Sequence, residues 1–256
     1  MSEHVRTEVI DGIQVIELAR AEKKNALTED MYRALAAAME QAESDTAVRV
    51  IFLKGQPGVF TAGNDIGDFL KNPPSTEKDP VFIFLRNIIL AGKPIVASVT
   101  GAAVGIGTTM LLHCDYVVCG ESAQFSVPFV NLGLCPEAGS SLMLPMAIGY
   151  KRAAEMLLFG ERVDSHTAQA WGLVNLVVDD SQAIDIGMAK ARILAAKPAQ
   201  ALWTTKALMK RRLSTQAAQQ MGDEGKEFHR LLQSPAAREI LSAFAEKRAP
   251  NPALFS

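Results

Sequence analysis

This chain predicts an α/β layered core that runs into an all-helical tail. Three features carry that prediction. Short apolar, strand-like runs alternate with helical segments; Gly, Pro and Asn punctuate the ends of the runs; and from Ala183 onward only helical pattern remains.

Val5 to Ile10 and Gln14 to Leu18 read as paired strands joined by Asp11-Gly12, a good two-residue hairpin turn. Thr28-Glu-Asp-Met31 caps a helix whose apolar residues Met31, Leu35 and Met39 fall at helical spacing. Val48 to Lys54 is apolar enough to be a strand buried on both faces, and it stops at the turn Gly55-Gln-Pro-Gly58. Lys71 to Pro80 is polar and carries Pro73, Pro74 and Pro80, which predicts an exposed, mobile loop. Phe82 to Leu90 is helical. Pro94 to Val99 is a second buried strand, followed at once by the turn Gly101-Ala-Ala-Val-Gly-Ile-Gly107. Thr108 to His113 opens a helix, and Tyr116 to Cys119 returns to strand. The tail predicts helices over Ala183–Ala196, Ala199–Arg212, Glu224–Leu232 and Pro235–Lys247. Lys197-Pro198 divides a core over 1–197 from a helical region over 198–256.

Composition narrows the function classes. A chain of 256 residues makes one domain, or one domain plus a small extension, and 48% apolar residues supply a sizeable core. A formal net charge of −2 gives no electrostatic reason to expect nucleic acid or an anionic membrane surface. No apolar run is long enough to span a bilayer. The three cysteines, Cys114, Cys119 and Cys135, form no CxxC pair and read as buried thiols in a reducing compartment. The start, Met1-Ser-Glu-His-Val-Arg6, has no apolar signal-peptide region, so a cytoplasmic location is expected. No metal site is expected.

One carboxylate stands out. Glu137 closes the otherwise apolar, Gly/Pro-punctuated stretch Ser126-Val-Pro-Phe-Val-Asn-Leu-Gly-Leu-Cys-Pro-Glu137. Two Gly turns lie upstream, Thr61-Ala-Gly-Asn-Asp-Ile66 and Gly101–Gly107. A lone acid/base carboxylate facing main-chain N–H groups suits proton transfer beside a carbonyl. On their own the glycines serve tight turns equally well. Gly105-Ile-Gly-Thr-Thr-Met110 lacks the third glycine of a dinucleotide loop. Neither a phosphate-binding loop with Gly-Lys-Ser/Thr nor a serine nucleophile elbow is present in the sequence.

Glu22-Lys-Lys-Asn-Ala-Leu27, Phe60-Thr-Ala-Gly-Asn-Asp-Ile66 and Lys93-Pro-Ile-Val-Ala-Ser-Val-Thr-Gly101 are followed in order by Gly105-Ile-Gly107, Cys114-Asp-Tyr116, Ala123-Gln-Phe125 and Gly172-Leu-Val174. In that order and spacing the chain resembles the crotonase superfamily, the enoyl-CoA hydratase/isomerase family, over essentially its whole length. The resemblance implies a spiral of ββα units with a helical C-terminal region, acyl-CoA thioesters as substrates, and homotrimers often paired into hexamers. Coenzyme A is then part of the substrate, and no separate cofactor is expected.

The resemblance also assigns residues. The oxyanion donors would be the main-chain N–H groups of Asn64 and Ile106. Family hydratases carry two glutamates that hold a water; the matching positions here are Thr109 and Phe129, so ordinary hydration is not expected. Pro136-Glu137 is similar to the peroxisomal-type Δ3,Δ2-enoyl-CoA isomerases, in which that glutamate is the sole acid/base. Desolvation would raise the Glu137 pKa, whereas a helix N-terminus after Pro136 would lower it. Lys24 or Lys23 would touch the CoA phosphates or ribose, and Ala62, Asp65 and Ile66 would cradle the adenine. Phe129 would dry the pocket, Asn131 would orient substrate or satisfy backbone, and Phe244 and Lys247 would reach CoA. Buried His113 reads as a core histidine. The implied activity is isomerisation of a 3-enoyl-CoA to the 2-enoyl thioester, with hydration or another crotonase activity as the alternative.

Overall fold

The hairpin predicted at the start is present: β1 (Val5–Ile10) and β2 (Ile13–Leu18) pair antiparallel. Asp11 and Gly12 both take positive φ, the geometry that a two-residue hairpin turn demands. The computed structural model describes residues 2–74 and 76–255, so Ser75, within the predicted Lys71–Pro80 loop, lies outside the described residues.

Helix α1 (Glu29–Ser44) begins where Thr28 Oγ1 accepts from the Met31 N–H, and Met31, Leu35 and Met39 all point into the core. The strand β3 (Val50–Lys54) runs parallel to β2. Two helices follow, α2 (Ile66–Lys71) and α3 (Pro80–Leu90), then β4 (Ile95–Val99) parallel to β3. The short strand β5 (Ala102–Val104) leads into α4 (Ile106–Thr109), which continues as a 3-10 turn over Met110–His113. That helix therefore starts earlier than Thr108, at Ile106. β6 (Tyr116–Gly120) and β7 (Gln124–Ser126) come next. The helices α5 (Ser140–Ile148) and α6 (Tyr150–Leu157) precede β8 (Val163–Asp164), α7 (Ser165–Trp171) and β9 (Leu176–Val178).

The strands form two sheets. The larger has the order β1-β2-β3-β4-β6-β9 and is parallel except at its first pair; the smaller has the order β5-β7-β8. Successive units give one strand to each sheet, β4 then β5 and β6 then β7, which is the expected crotonase-type α/β spiral. Phe52, Phe60, Phe84 and Phe125 are fully buried, and each contributes roughly 1.5–3 kcal/mol by leaving water.

The C-terminal part is α8 (Ala183–Ala195), α9 (Ala199–Leu232) and α10 (Pro235–Glu246). Here the structure corrects the sequence reading. The helices expected over Ala199–Arg212 and Glu224–Leu232 are one 34-residue helix. Its middle carries Ser214, Thr215 and Gly222, poor helix formers that suggest a break. Packing overrides them, because Ala217 and Glu224 are buried against the turn that precedes α5. The tail also joins the main core: Phe228 and Ala237 belong to the same buried cluster as the strands.

Candidate active site

The two Gly turns named in the sequence lie side by side. An isolated parallel bridge joins Thr61 to Ala103, with Thr61 N donating to Ala102 O at 2.9 Å and Val104 N to Thr61 O at 3.1 Å. A second bridge, Leu27 to Asn64, anchors the first turn: Leu27 N donates to Gly63 O and Asp65 N to Leu27 O. Gly63 takes φ 90°, and a Cβ there would come within 2.8 Å of Val104 O, so only glycine lets the turns approach. Gly105 takes φ 57° as the N-cap of α4. The bonds that define these turns do not use the N–H groups of Asn64 or Ile106. These are the two donors that the sequence resemblance assigns to a developing oxyanion, and one such donor is typically worth about 3 kcal/mol of barrier.

Asn64 and Ile106 both border a cleft of about 870 Å³. Its lining is mostly apolar, with Ala62, Ile66, Phe129 and Leu134 from the core and Leu241 and Phe244 from α10. Lys23 and Lys247 add positive charge, whereas Arg248 is paired with Glu239 and Glu246. Those proportions suit a long ligand with an apolar body and an anionic end.

Glu137 lies behind this cleft. It borders a separate void of about 20 Å³ with Phe82, Leu85 and Met221, and that void shares Asn64, Phe69 and Phe228 with the cleft. The residue keeps some surface, but its Oε1 atom is buried and makes no hydrogen bond of ordinary geometry among the described residues. The shielding of the carboxylate itself governs its proton affinity. Burial, and then the negative charge of Glu224, push the Glu137 pKa up to about 8, and the neighbouring Thr109 hydroxyl offsets part of the rise. Of the two opposing effects expected from the sequence, desolvation wins. The helix that was to lower the pKa starts only at Ser140, beyond the carboxylate. Thr109 Oγ1, the hydroxyl that acts on Glu137, is buried too and makes no hydrogen bond of ordinary geometry among the described residues.

The backbone at this point is unusual. Ala138 takes φ 60° and Gly139 φ 70°, and Ser140 N closes the turn on Glu137 O at 3.0 Å. A left-handed alanine costs about 1–2 kcal/mol, so its surroundings must hold it there. One restraint is His113, whose Nε2 lies 2.7 Å from Ala138 O. Burial and then the Lys210 charge lower the His113 pKa to about 3, so the ring is neutral and donates through Nε2. His113 is thus a satisfied core histidine, and its bond shapes the Glu137 turn.

A sequence profile of the enoyl-CoA hydratase/isomerase family matches residues 8–252. The chain belongs to the enoyl-CoA hydratase/isomerase family. It is 32% identical to 1,2-epoxyphenylacetyl-CoA isomerase of Escherichia coli (strain K12) over 98% of both chains. It is 38% identical to enoyl-CoA delta isomerase 2 of Rattus norvegicus over 66% of this chain and 45% of that one. The solved structure of Pseudomonas aeruginosa OdaA superposes with a TM-score of 0.92 at 44% identity, covering 95% of this chain and 99% of that one.

Within this hydratase/isomerase fold, the other sequence-named residues fall as follows. Ala62, Ile66, Phe129, Asn131 and Lys247 line the cleft with Asn64 and Ile106. Of the two lysines, Lys23 borders the cleft; Lys24 instead takes φ 52° and offers its carbonyl to the Ala62 N–H. Asp65 reaches the cleft, yet its carboxylate is engaged elsewhere. It accepts from Arg20 Nη1 at 2.7 Å and from the Asp68 N–H at 3.1 Å as the cap of α2. Burial would raise its pKa, but the Arg20 bond leads the opposing effects, which outweigh burial and hold it below the ordinary value. Two residues that sequence reasoning missed join the site. Tyr32 on α1 donates to Asn64 Oδ1, and Glu224 on α9 lies close enough to act on Glu137. Both arrive from far along the chain, and no local motif marks them.

Proposed function

We propose that this family member is an acyl-CoA isomerase that shifts a 3-enoyl double bond to the 2-position. The observation that carries the reading is Glu137, a shielded carboxylate with a pKa of about 8 that shares its void with Asn64 and is acted on by Thr109 of α4. Glu137 takes a proton from C2 of the thioester. The resulting enolate oxygen is held by the Asn64 and Ile106 N–H groups. Glu137 then returns the proton at C4. A single carboxylate suffices for this transfer, and a pKa near neutrality serves both directions of it.

Thr109 and Phe129 support isomerisation over hydration. Neither offers a second carboxylate to activate water, and the Phe129 ring lies against Gly105 in the wall of the cleft. The likeness to a 1,2-epoxyphenylacetyl-CoA isomerase favours one second reading, in which the same proton-transfer site serves an epoxide-bearing aryl-acetyl thioester.

Ultraviolet absorbance tests the proposal. With 3-hexenoyl-CoA, conjugated enoyl thioester should accumulate; with crotonyl-CoA, conjugation should persist. Rapid loss of the crotonyl-CoA signal would mean a hydratase. No turnover of 3-hexenoyl-CoA, alongside turnover of the epoxide, would favour the second reading.

A further inference from the structure

Glu224 is 6% exposed, and the reaction as drawn gives it no part. It comes from the second half of α9, yet its carboxylate is engaged with the turn that follows Glu137. Oε2 accepts from the Gly139 N–H at 2.6 Å, and Oε1 accepts from the Ser141 N–H at 2.9 Å and the Ser141 hydroxyl at 2.5 Å. Gln220 Nε2 donates to the same Ser141 oxygen at 2.9 Å, which directs the hydroxyl proton toward Glu224. Every partner of the carboxylate is a donor, the pattern of an ionised acceptor. Helix α5 has no side-chain cap of its own at Gly139, so Glu224 caps it from a distant helix.

We propose that Glu224 is a positioning residue for Glu137: it clamps the Gly139–Ser141 turn from which the base is suspended and places a fixed negative charge beside it. The proposal rests on reading Glu137 as the acid/base. The clamp acts where it is needed, because Ala138 sits in a strained left-handed geometry that chain preference alone would not keep. His113 holds the Ala138 carbonyl from one side, and Glu224 holds the Gly139 and Ser141 N–H groups from another, while the Ser140 N–H between them closes on Glu137 O.

The charge argument survives a survey of the neighbouring elements. Tyr32 faces the site from α1, and its pKa lies well above the ordinary phenol value through burial and then the Glu137 charge. His113, on the 3-10 turn, is held near 3 by burial and then Lys210, with Lys206 adding to the effect. Cys135, on the same loop as Glu137, is pushed up to about 11 by burial and then Glu224. All three are neutral while Glu137 titrates. Glu224 is itself raised by burial, against which the Ser141 and Gly139 bonds stabilise its charged form.

The test reads Glu137 directly. In protein labelled with ¹³C-carboxyl glutamate, the Glu137 resonance is assigned by its loss in Glu137→Gln and then titrated. In Glu224→Gln the midpoint should fall by about one pH unit. With 3-hexenoyl-CoA, kcat should fall about tenfold or more while KM holds, since a loosened base is misplaced but the cleft is not. Glu224→Asp keeps the charge but retracts it: the Glu137 midpoint should stay near the parent's while kcat falls. Asp223→Asn, on the exposed side of the same helix, should change neither. An unmoved Glu137 midpoint in Glu224→Gln overturns the proposal. Should that variant fail to fold, parent-like kcat in Glu224→Asp overturns it instead. Persistent isomerase activity in Glu137→Gln would sink the base reading alone, because the carboxyl titration still reports whether Glu224 acts on Glu137.

Discussion

The Tyr32 hydroxyl donates to the side-chain oxygen of Asn64, tying helix α1 to the turn that carries one of the two candidate oxyanion donors. Asn64 also borders the cleft and the Glu137 void, so this bond sits where binding and proton transfer meet. Tyr32→Phe removes the bond and little else, because the ring stays packed against Phe84 at 5.9 Å. A neutral hydrogen bond is worth about 1 kcal/mol. We expect kcat on 3-hexenoyl-CoA to fall roughly five- to tenfold with KM unchanged, measured by steady-state kinetics. An unchanged kcat would mean that the Leu27 bridge alone fixes the Asn64 turn.

Replacing Glu137 with Gln should leave acyl-CoA binding intact, since the cleft is walled by other residues. Isomerisation should drop by roughly 10²–10⁴-fold, because an amide cannot accept the α-proton. Calorimetric titration with acyl-CoA and the absorbance assay separate the two effects. Near-parent turnover would show that another group is the base.

The contrast between these two residues shows what was legible in the sequence. Glu137, the Asn64 turn and the Ile106 turn are local motifs, each within a dozen residues of its own glycines and prolines. The strands β3 and β4 were equally plain, because burial on both faces writes an unbroken apolar run. Tyr32 and Glu224 were not visible: one is an aromatic at a core-facing helical position, the other a carboxylate in a charged helix, and only tertiary packing distinguishes them from structural residues. The same packing hid the continuity of α9. Lys23 and Lys24 were indistinguishable for a different reason. Which lysine borders the cleft depends on the left-handed turn at Lys24, and the side-chain sequence does not specify it.

The raised pKa of Glu137 predicts two pH dependences of opposite sign. Activity needs the ionised base, so kcat/KM should climb with pH and reach half its plateau near about 8. Stability should run the other way. Between the ordinary carboxyl range and the folded value, the unfolded chain has already lost the proton that the native state keeps. The unfolded state therefore binds fewer protons, and stability falls as pH rises through that window. Glu137→Gln cannot ionise and should escape this loss. Thermal denaturation should show the variant gaining on the parent from pH 5 to pH 9. A constant difference between the two would mean that Glu137 has an ordinary pKa.

Several large apolar side chains close together in sequence are exposed. Met146, Tyr150, Leu158 and Phe159 on and after α5 and α6 are 60%, 69%, 61% and 70% exposed. Exposed apolar area of this amount is unfavourable on an isolated chain. The family resemblance supplies the symmetry that would cover it, so a trimer or a pair of trimers is expected. Multi-angle light scattering checks this, and a stable monomer at micromolar concentration would refute it.

The void at Glu137, about 20 Å³, holds little more than a water molecule, yet an acyl chain must reach the carboxylate. The barrier is a pair of rings: Phe69 of α2 meets Phe228 of α9 edge-on, with centroids 6.0 Å apart and planes at 80°. Phe228 is anchored in a long helix, whereas α2 has six residues and none of them is fully buried. The movable partner is therefore α2, along with the Asn72–Pro74 stretch that follows it. That stretch and Phe69 also border another cavity, about 210 Å³, which leaves open space beside α2. Ordering α2 against substrate costs conformational entropy that acyl contacts must offset, which is the behaviour of a ligand-closed gate. Hydrogen exchange with and without hexanoyl-CoA, which has no double bond to isomerise, tests the idea. Amides over 66–72 should exchange readily in the free protein and slow several-fold on binding. Equal, strong protection in both states would make α2 rigid scaffold and would force the acyl chain to enter by another route.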